Sequence, residues 1–174
     1  GARFHYDTLL SPRTDGAGMG PAAYRLDVDR MVGCDLDDEE DFKECEDVFA
    51  HFWDKKLAEP PSCGAGIFAF NIDPYGNASP CTMFTSFRHS VKELPFVTAW
   101  QRVVGEYDRA KRDFTPLECR SCSMFFMCPQ CPAWAETEGQ RMNTRIDYLC
   151  SYAKTLEKKF LAKKEERSHE KTAI

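Results

Sequence analysis

The residues best equipped for chemistry in this chain are its cysteines. Cys119, Cys122, Cys128 and Cys131 fall within thirteen residues as two C-x-x-C pairs. Each pair curls the backbone so that both sulfurs face one centre. Two pairs supply four thiolates, the donor set of a structural zinc ion or an iron–sulfur cluster. Cys63, Cys81 and Cys150 raise the candidate ligands to seven, too many for one zinc ion. Cys34 and Cys45 complete the nine cysteines, and an odd count suits disulfides badly. The opening Gly1–Tyr6 lacks the apolar core of an export signal. Reduced thiols and a cytoplasmic location are therefore expected. His5, His51, His89 and His169 share no ligand spacing with the cysteines and are expected at the surface or in packing.

The rest of the chain must hold these sulfurs in place. The 174 residues are 43 % hydrophobic and 13 % aromatic, enough for a packed core. The net charge of −5 argues against nucleic acid as a partner, and the absence of a long apolar run argues against a membrane. Phe4, Tyr6, Thr8 and Leu10 alternate as a strand would, and Ser11–Gly20 is rich in turn formers. A helix is expected over 38–57, where Phe42, Cys45, Val48, Phe49 and Phe52 recur at helical spacing. The acids Asp35 to Asp41 would form its solvated start. Pro60-Pro61 reads as a boundary.

A hairpin is expected over 67–80, turning at Asp73-Pro74-Tyr75-Gly76 in a type I turn. A four-residue turn would put Cys81 across from Phe68. Cys63 would then lie about 16 Å further along a straight strand, so Gly64 and Gly66 must make a corner that folds it back. A second helix is expected over 94–110, with Phe96, Trp100, Val103, Val104 and Tyr107 on one stripe. Residues 119–134 carry too much Cys and Pro for regular structure. The C-terminal segment is an amphipathic helix with Leu149, Tyr152, Ala153, Leu156 and Phe160 on one face, fraying beyond Arg167.

The order of these features resembles the SPASM domain, the C-terminal auxiliary-cluster part of radical S-adenosylmethionine enzymes that mature peptides or proteins. The resemblance rests on Cys63-Gly64-Ala65-Gly66, on Gly76 five residues before Cys81, on Cys119-x2-Cys122-x5-Cys128-x2-Cys131 and on Cys150. The family pattern has three residues between the last two of those four cysteines, where this chain has two. Tyr6-Asp7, Ser11-Pro12-Arg13 and Tyr24-Arg25-Leu26 resemble the closing part of the partial β/α barrel that precedes the domain.

What the resemblance implies is specific. The fold would be α+β: a small, loop-rich iron–sulfur domain on a β-hairpin with flanking helices, preceded by the last strand and helix of the partial barrel. Residues 1–58 would end the barrel, 59–150 would form the SPASM domain and 151–174 the terminal helix. Two [4Fe–4S] clusters are implied. Cys119, Cys122, Cys128 and Cys150 would hold one, and Cys63, Cys81 and Cys131 the other. A fourth ligand for the second is open between Cys34, Cys45, substrate or none. Cys45 lies among helix aromatics, so packing is its expected role, and Cys34 is expected in a loop. Phe125, Phe126 and Trp134 would cover the far cluster, or equally serve as ordinary core filling.

No three cysteines here follow the C-x3-C-x2-C spacing of the radical-generating cluster. That third cluster and S-adenosylmethionine would belong to the missing N-terminal barrel, so this chain alone is expected to be inactive, with no catalytic residue of its own. Its clusters would transfer electrons or anchor a substrate group. The expected partners are a peptide or protein substrate and an electron donor or acceptor protein. Two further readings stay open from sequence: a redox-inert zinc-binding interaction module, and a scaffold that recruits a peptide without catalysis.

Overall fold

The computed structural model describes residues 6–14, 20–53 and 63–172. Among them the chain is α+β, with five α-helices and one small antiparallel sheet. A 3-10 turn, Gly20–Tyr24, precedes α1 (Val28–Asp37) and α2 (Glu39–Phe52). The strands are β1 (Asn71–Ile72), β2 (Asn77–Ser79) and β3 (His89–Ser90), with β2 central. Then come α3 (Phe96–Ala110), the short α4 (Pro132–Thr137) and α5 (Asp147–Thr172).

The expected helix over 38–57 is α2 alone, and α1 stands before it. Two aspartates set this division. Asp27 accepts hydrogen bonds from the amides of Asp29 and Arg30, starting α1. Asp38 has extended backbone (φ −74°, ψ 127°) that stops α1, and its carboxylate accepts from the amides of Glu40 and Asp41 to start α2. Cys34 consequently lies on a helix, not in a loop. Residues 54–57 of the expected helix, like Phe4 and His5, lie outside the described residues.

The expected opening strand is also replaced. Residues 6–13 run without regular structure along α1, tied by side chains instead of a ladder. Tyr6 donates its hydroxyl to the Cys34 carbonyl, and Thr8 donates to the Asp35 carboxylate. No closing barrel strand is found among the described residues.

The turn at Asp73–Gly76 closes with the Gly76 amide donating to the Asp73 carbonyl at 2.9 Å. The hairpin register differs from the expected one by one residue, because Asn71 pairs with Ser79 and Ile72 with Ala78. Gly76, at φ 83°, adds a bulge residue after the turn. Continued outward, that register sets Cys81 opposite Ala69, not Phe68. β3 is an addition that the sequence pattern did not mark.

The largest core joins distant parts of the chain. Phe49 of α2 stacks on Phe160 of α5 at 4.3 Å between ring centroids and meets Phe126 edge-on. Val32, Leu36 and Leu156 fill the same core. Along its rim α5 pairs with the first two helices: Lys159 with Asp29, Lys163 with Asp37 and Arg167 with Glu39. The acids at the α1–α2 junction open α2 and stay solvated, with the Asp37 and Glu39 side chains 82 % and 78 % exposed, while they also pair with α5. Hydrogen bonding from Lys163 holds the Asp37 carboxyl below its ordinary value, and Arg167 does the same for Glu39. α5 continues as helix beyond Arg167 to Thr172. No helix among the described residues is long and apolar enough to cross a membrane.

Candidate metal centre

Tight turns present the first group of thiols. Pro116 starts a 3-10 turn, Leu117–Cys119, and further i to i+3 bonds follow. The Cys119 amide donates to Pro116, Cys122 to Cys119, Phe125 to Cys122 and Met127 to Met124. This coil keeps Cys119 and Cys122 on one side while Met124 and Phe126 sink into the core. Cys150 arrives from the first turn of α5, its amide donating to the Ile146 carbonyl. Gln130 secures that approach from both ends of its amide. Its Nε2 donates to the Thr144 carbonyl at 2.9 Å, and its Oε1 accepts from the Ile146 amide at 3.1 Å.

The result is a recess of about 20 Å³ whose walls include Cys119, Cys122, Cys128 and Cys150. Phe125 and Met124 close its apolar side, and Arg145 and Lys154 stand at its wall. Burial, with Cys119, Cys150 and Cys122 nearby, pushes the Cys128 thiol up to about 11, against an opposing backbone bond from Gln130. Burial also raises Cys119, followed by the charge of Glu118, while Arg145 opposes the rise. Metal-free, the Cys119 and Cys128 thiols hold their protons, and a bound metal would reverse that preference.

A second group forms elsewhere. The corner expected at Gly64 and Gly66 is made by the Gly64 carbonyl accepting from the amides of Ile67, Phe68 and Ala69, with Gly66 at φ 71°. Cys63 sits at its mouth, where its Sγ accepts from the Ala65 amide at 3.4 Å. Cys131 stands just before α4, which is tied to the Cys81 loop through Glu136. That carboxylate accepts from the amides of Thr85 and Ser86 and from the Ser86 hydroxyl. Burial raises the Cys131 thiol, the Trp134 and Ala133 amides draw it down, and Cys81 and Cys63 add to the rise. Cys131 is absent from the walls of the first recess although it is only three residues from Cys128.

Tyr107 of α3 joins this second group. It packs with Ala65, Phe84 and Ala133, against which Cys81 and Cys131 also lie. Burial and then Cys63, Cys81 and Cys131 push its phenol up to about 12. Its ring is locked by Phe84, Phe87 and Phe114. Phe87 adopts φ 56°, a left-handed backbone that costs a non-glycine residue about 1–2 kcal/mol. A Cβ on Gly66 would stand 2.8 Å from the Tyr107 ring, so only glycine lets the corner close on it.

The remaining candidates lie apart. Cys45 is buried with Phe42 and Phe49, and desolvation lifts its thiol to about 11. Cys34 is exposed on α1. Neither contributes to the charges felt by Cys131 or Tyr107. Among the expected covering aromatics only Phe125 lines the first recess. Phe126 belongs to the α2–α5 core, and Trp134 packs on Ile146 and Leu149 while its ring nitrogen donates to Glu138. Arg25 lies over the Tyr148 ring at 4.1 Å and pairs with Glu138, which makes it a packing residue. His89 pairs with Glu106. No group of three or more His, Cys, Asp or Glu among the described residues is drawn close enough to grip a single metal ion.

Gln130, Arg145, Lys154 and Tyr107 were not singled out as site residues from sequence. Lys154 had a readable signal, lying one helical turn after Cys150. Comparison with protein-family models, with curated proteins and with solved structures returns no match.

Proposed function

We propose that this chain is the auxiliary iron–sulfur region of a radical S-adenosylmethionine enzyme that modifies a peptide or protein. The observation that supports this reading most is the recess walled by Cys119, Cys122, Cys128 and Cys150. The donor set suits a thiolate-held cluster, since four cysteines and no carboxylate line the recess. The same thiols are the far-cluster set implied by the SPASM resemblance, and Cys63, Cys81 and Cys131 are the other.

Bound there, an iron–sulfur cluster supplies one-electron exchange. The chain's own residues set the terms. Arg145 and Lys154 offset the negative charge of the thiolates. Phe125 and Met124 exclude water from one side, which strengthens every charge interaction within. Gln130 fixes the start of α5, and so the position of Cys150. The chain provides no site for the radical-generating chemistry, because no C-x3-C-x2-C is present in it. The partners of this reading are a peptide or protein substrate and an electron carrier, with S-adenosylmethionine bound by a barrel outside these residues.

Anaerobic reconstitution with iron and sulfide tests the reading. The expected product is brown, with about eight irons per chain if both [4Fe–4S] clusters form. A colourless protein with stoichiometric zinc and no iron would establish the zinc-module alternative instead. The chain alone is expected to produce no 5′-deoxyadenosine from S-adenosylmethionine under reducing conditions, and production above a protein-free control refutes that expectation.

A further inference from the structure

The sheet ends at β1, which has no neighbour on its outer side among the described residues. The register fixes which main-chain groups face outward. The Asp73 amide donates to the Asn77 carbonyl at 3.0 Å, so these two residues form a hydrogen-bonded pair. Antiparallel pairs alternate in kind. Asn71 and Ser79 are the next bonded pair, and Ile72 and Ala78 between them are a non-bonded one. The amide and carbonyl of Ile72 therefore point away from β2. One step further along, the same alternation turns those of Phe70 outward. Among the described residues no loop or side chain bonds to these groups.

An apolar shelf runs along the same edge. Asn71 and Ser79 share one face of the hairpin, where the Asn71 amide nitrogen donates to the Ser79 hydroxyl oxygen. Phe70 and Ile72 take the other face. There the Phe70 ring lies 5.3 Å from Phe96 and 5.7 Å from Trp100 of α3. The cover is incomplete. Ala78 on the central strand is fully buried, yet Phe70 stays 55 % exposed, Ile72 45 %, Phe96 40 % and Val97 63 %.

The size of the shelf points to its occupant. These four side chains leave roughly 300 Å² of apolar surface open. A stable contact between two folded proteins takes about 800 Å² from each partner. A second copy of this chain would leave most of that unmade. An extended peptide needs less area, because its main chain adds hydrogen bonds along the edge.

We propose that β1 takes up an extended peptide as a fourth strand, its backbone bonded to Ile72 and Phe70 and its alternate apolar side chains resting on Phe70, Phe96 and Val97. The inference rests on the peptide-modifying reading above. It gives the peptide a docking place on the hairpin that leads directly into Cys81.

The test uses the whole chain, metal-free, and a fluorophore-labelled heptapeptide of alternating threonine and valine, capped at both ends. Saturable binding is expected in fluorescence anisotropy. The same peptide N-methylated at every amide keeps its side chains, loses its donors and should not bind. Ile72→Lys places a charge on the open edge at an exposed position and should weaken binding at least about tenfold, with an unchanged far-ultraviolet spectrum. No binding by the parent chain, equal binding of the N-methylated peptide, or full affinity in Ile72→Lys overturns the proposal. A concentration-dependent dimer that Ile72→Lys abolishes assigns the edge to a second copy and overturns it too. The N-methylated peptide needs no variant, so a poorly folding Ile72→Lys protein does not shield the proposal. Iron counts on the reconstituted chain judge the cluster reading separately, so the two failures are distinguishable.

Discussion

The two thiol groups are built in opposite ways. The recess takes Cys119, Cys122 and Cys128 from one run of turns and adds Cys150 from a helix. The second group collects Cys63, Cys81 and Cys131 from three segments that meet only through packing and the Glu136 carboxylate. Closing a short loop costs less entropy than closing a long one. The recess should accordingly load first and release its metal last. The contrast also divides their structural roles. The recess shares Met124 and Phe126 with the main core, whereas Cys63 lies exposed at a corner.

The most forceful way to break this comparison is Cys122→Ala. If the proposed cluster is held there, it should remove about four irons and weaken the fold, because that cluster would link the turns to α5. A loss of about 3 kcal/mol would lower Tm by roughly 6–12 °C at this chain length. Iron analysis beside calorimetry checks both effects. If the variant empties only the second group, the partition of the sulfurs is wrong.

Cys63→Ala should also remove about four irons, yet barely move the melt. In the metal-free chain the Cys63 sulfur accepts one long bond, from the Ala65 amide, whose removal costs about 1 kcal/mol at most. A metal-free melting curve well below the parent's would show that Cys63 carries structural weight of its own.

Gly66→Ala sharpens the contrast without touching a sulfur. The backbone at φ 71° costs alanine about 1–2 kcal/mol, and the new Cβ presses on the Tyr107 ring. Partial iron loss from the second group alone is expected, read from the separate electron paramagnetic resonance signals. Equal loss from both groups would mean that they are coupled through the fold.

The smallest effect is a control remote from both. Burial raises the Asp35 carboxyl above its ordinary 3.8, although Tyr152 and Thr8 hydroxyls both donate to it. A raised acid makes the folded state bind more protons than the unfolded one, so its charge weakens the fold as pH rises through the raised value. Asp35→Asn keeps an acceptor for both hydroxyls. It should raise Tm slightly at neutral pH, a gain that vanishes on acidification toward 3.8, with iron content unchanged. A melt that falls at neutral pH would assign the carboxylate a net stabilising role.

Local signals were the legible ones. The Asp73-Pro74-Tyr75-Gly76 turn, the helical stripe through Val103 and Tyr107 and the apolar face of the last helix are each set by neighbours within a few residues. The helix start at Asp38 within the acid run was legible, whereas the earlier start of α1 at Asp27 was not marked by the sequence pattern. The hairpin register needed knowledge that Gly76 would act as a bulge as well as a turn residue. At the candidate site the cysteines announced themselves by type and spacing. Gln130 and Tyr107 did not, since their places are set by Thr144, Ile146 and the Gly66 corner, which only the folded chain brings near.

The long reach of α5 has a consequence for synthesis. Lys159, Lys163 and Arg167 find partners in α1 and α2 that were made well over a hundred residues earlier. At ribosomal speeds this separation is on the order of ten seconds, during which Val32, Leu36, Phe42 and Phe49 await their cover. Contacts of such high sequence separation form late and slowly. Cys150 follows Cys128 by 150 − 128 = 22 residues, so Cys119, Cys122 and Cys128 wait for it only a few seconds at about 5–20 residues per second. Newly made chain therefore passes through a short stage in which three thiols stand without the fourth, and docking of the last helix ends that stage.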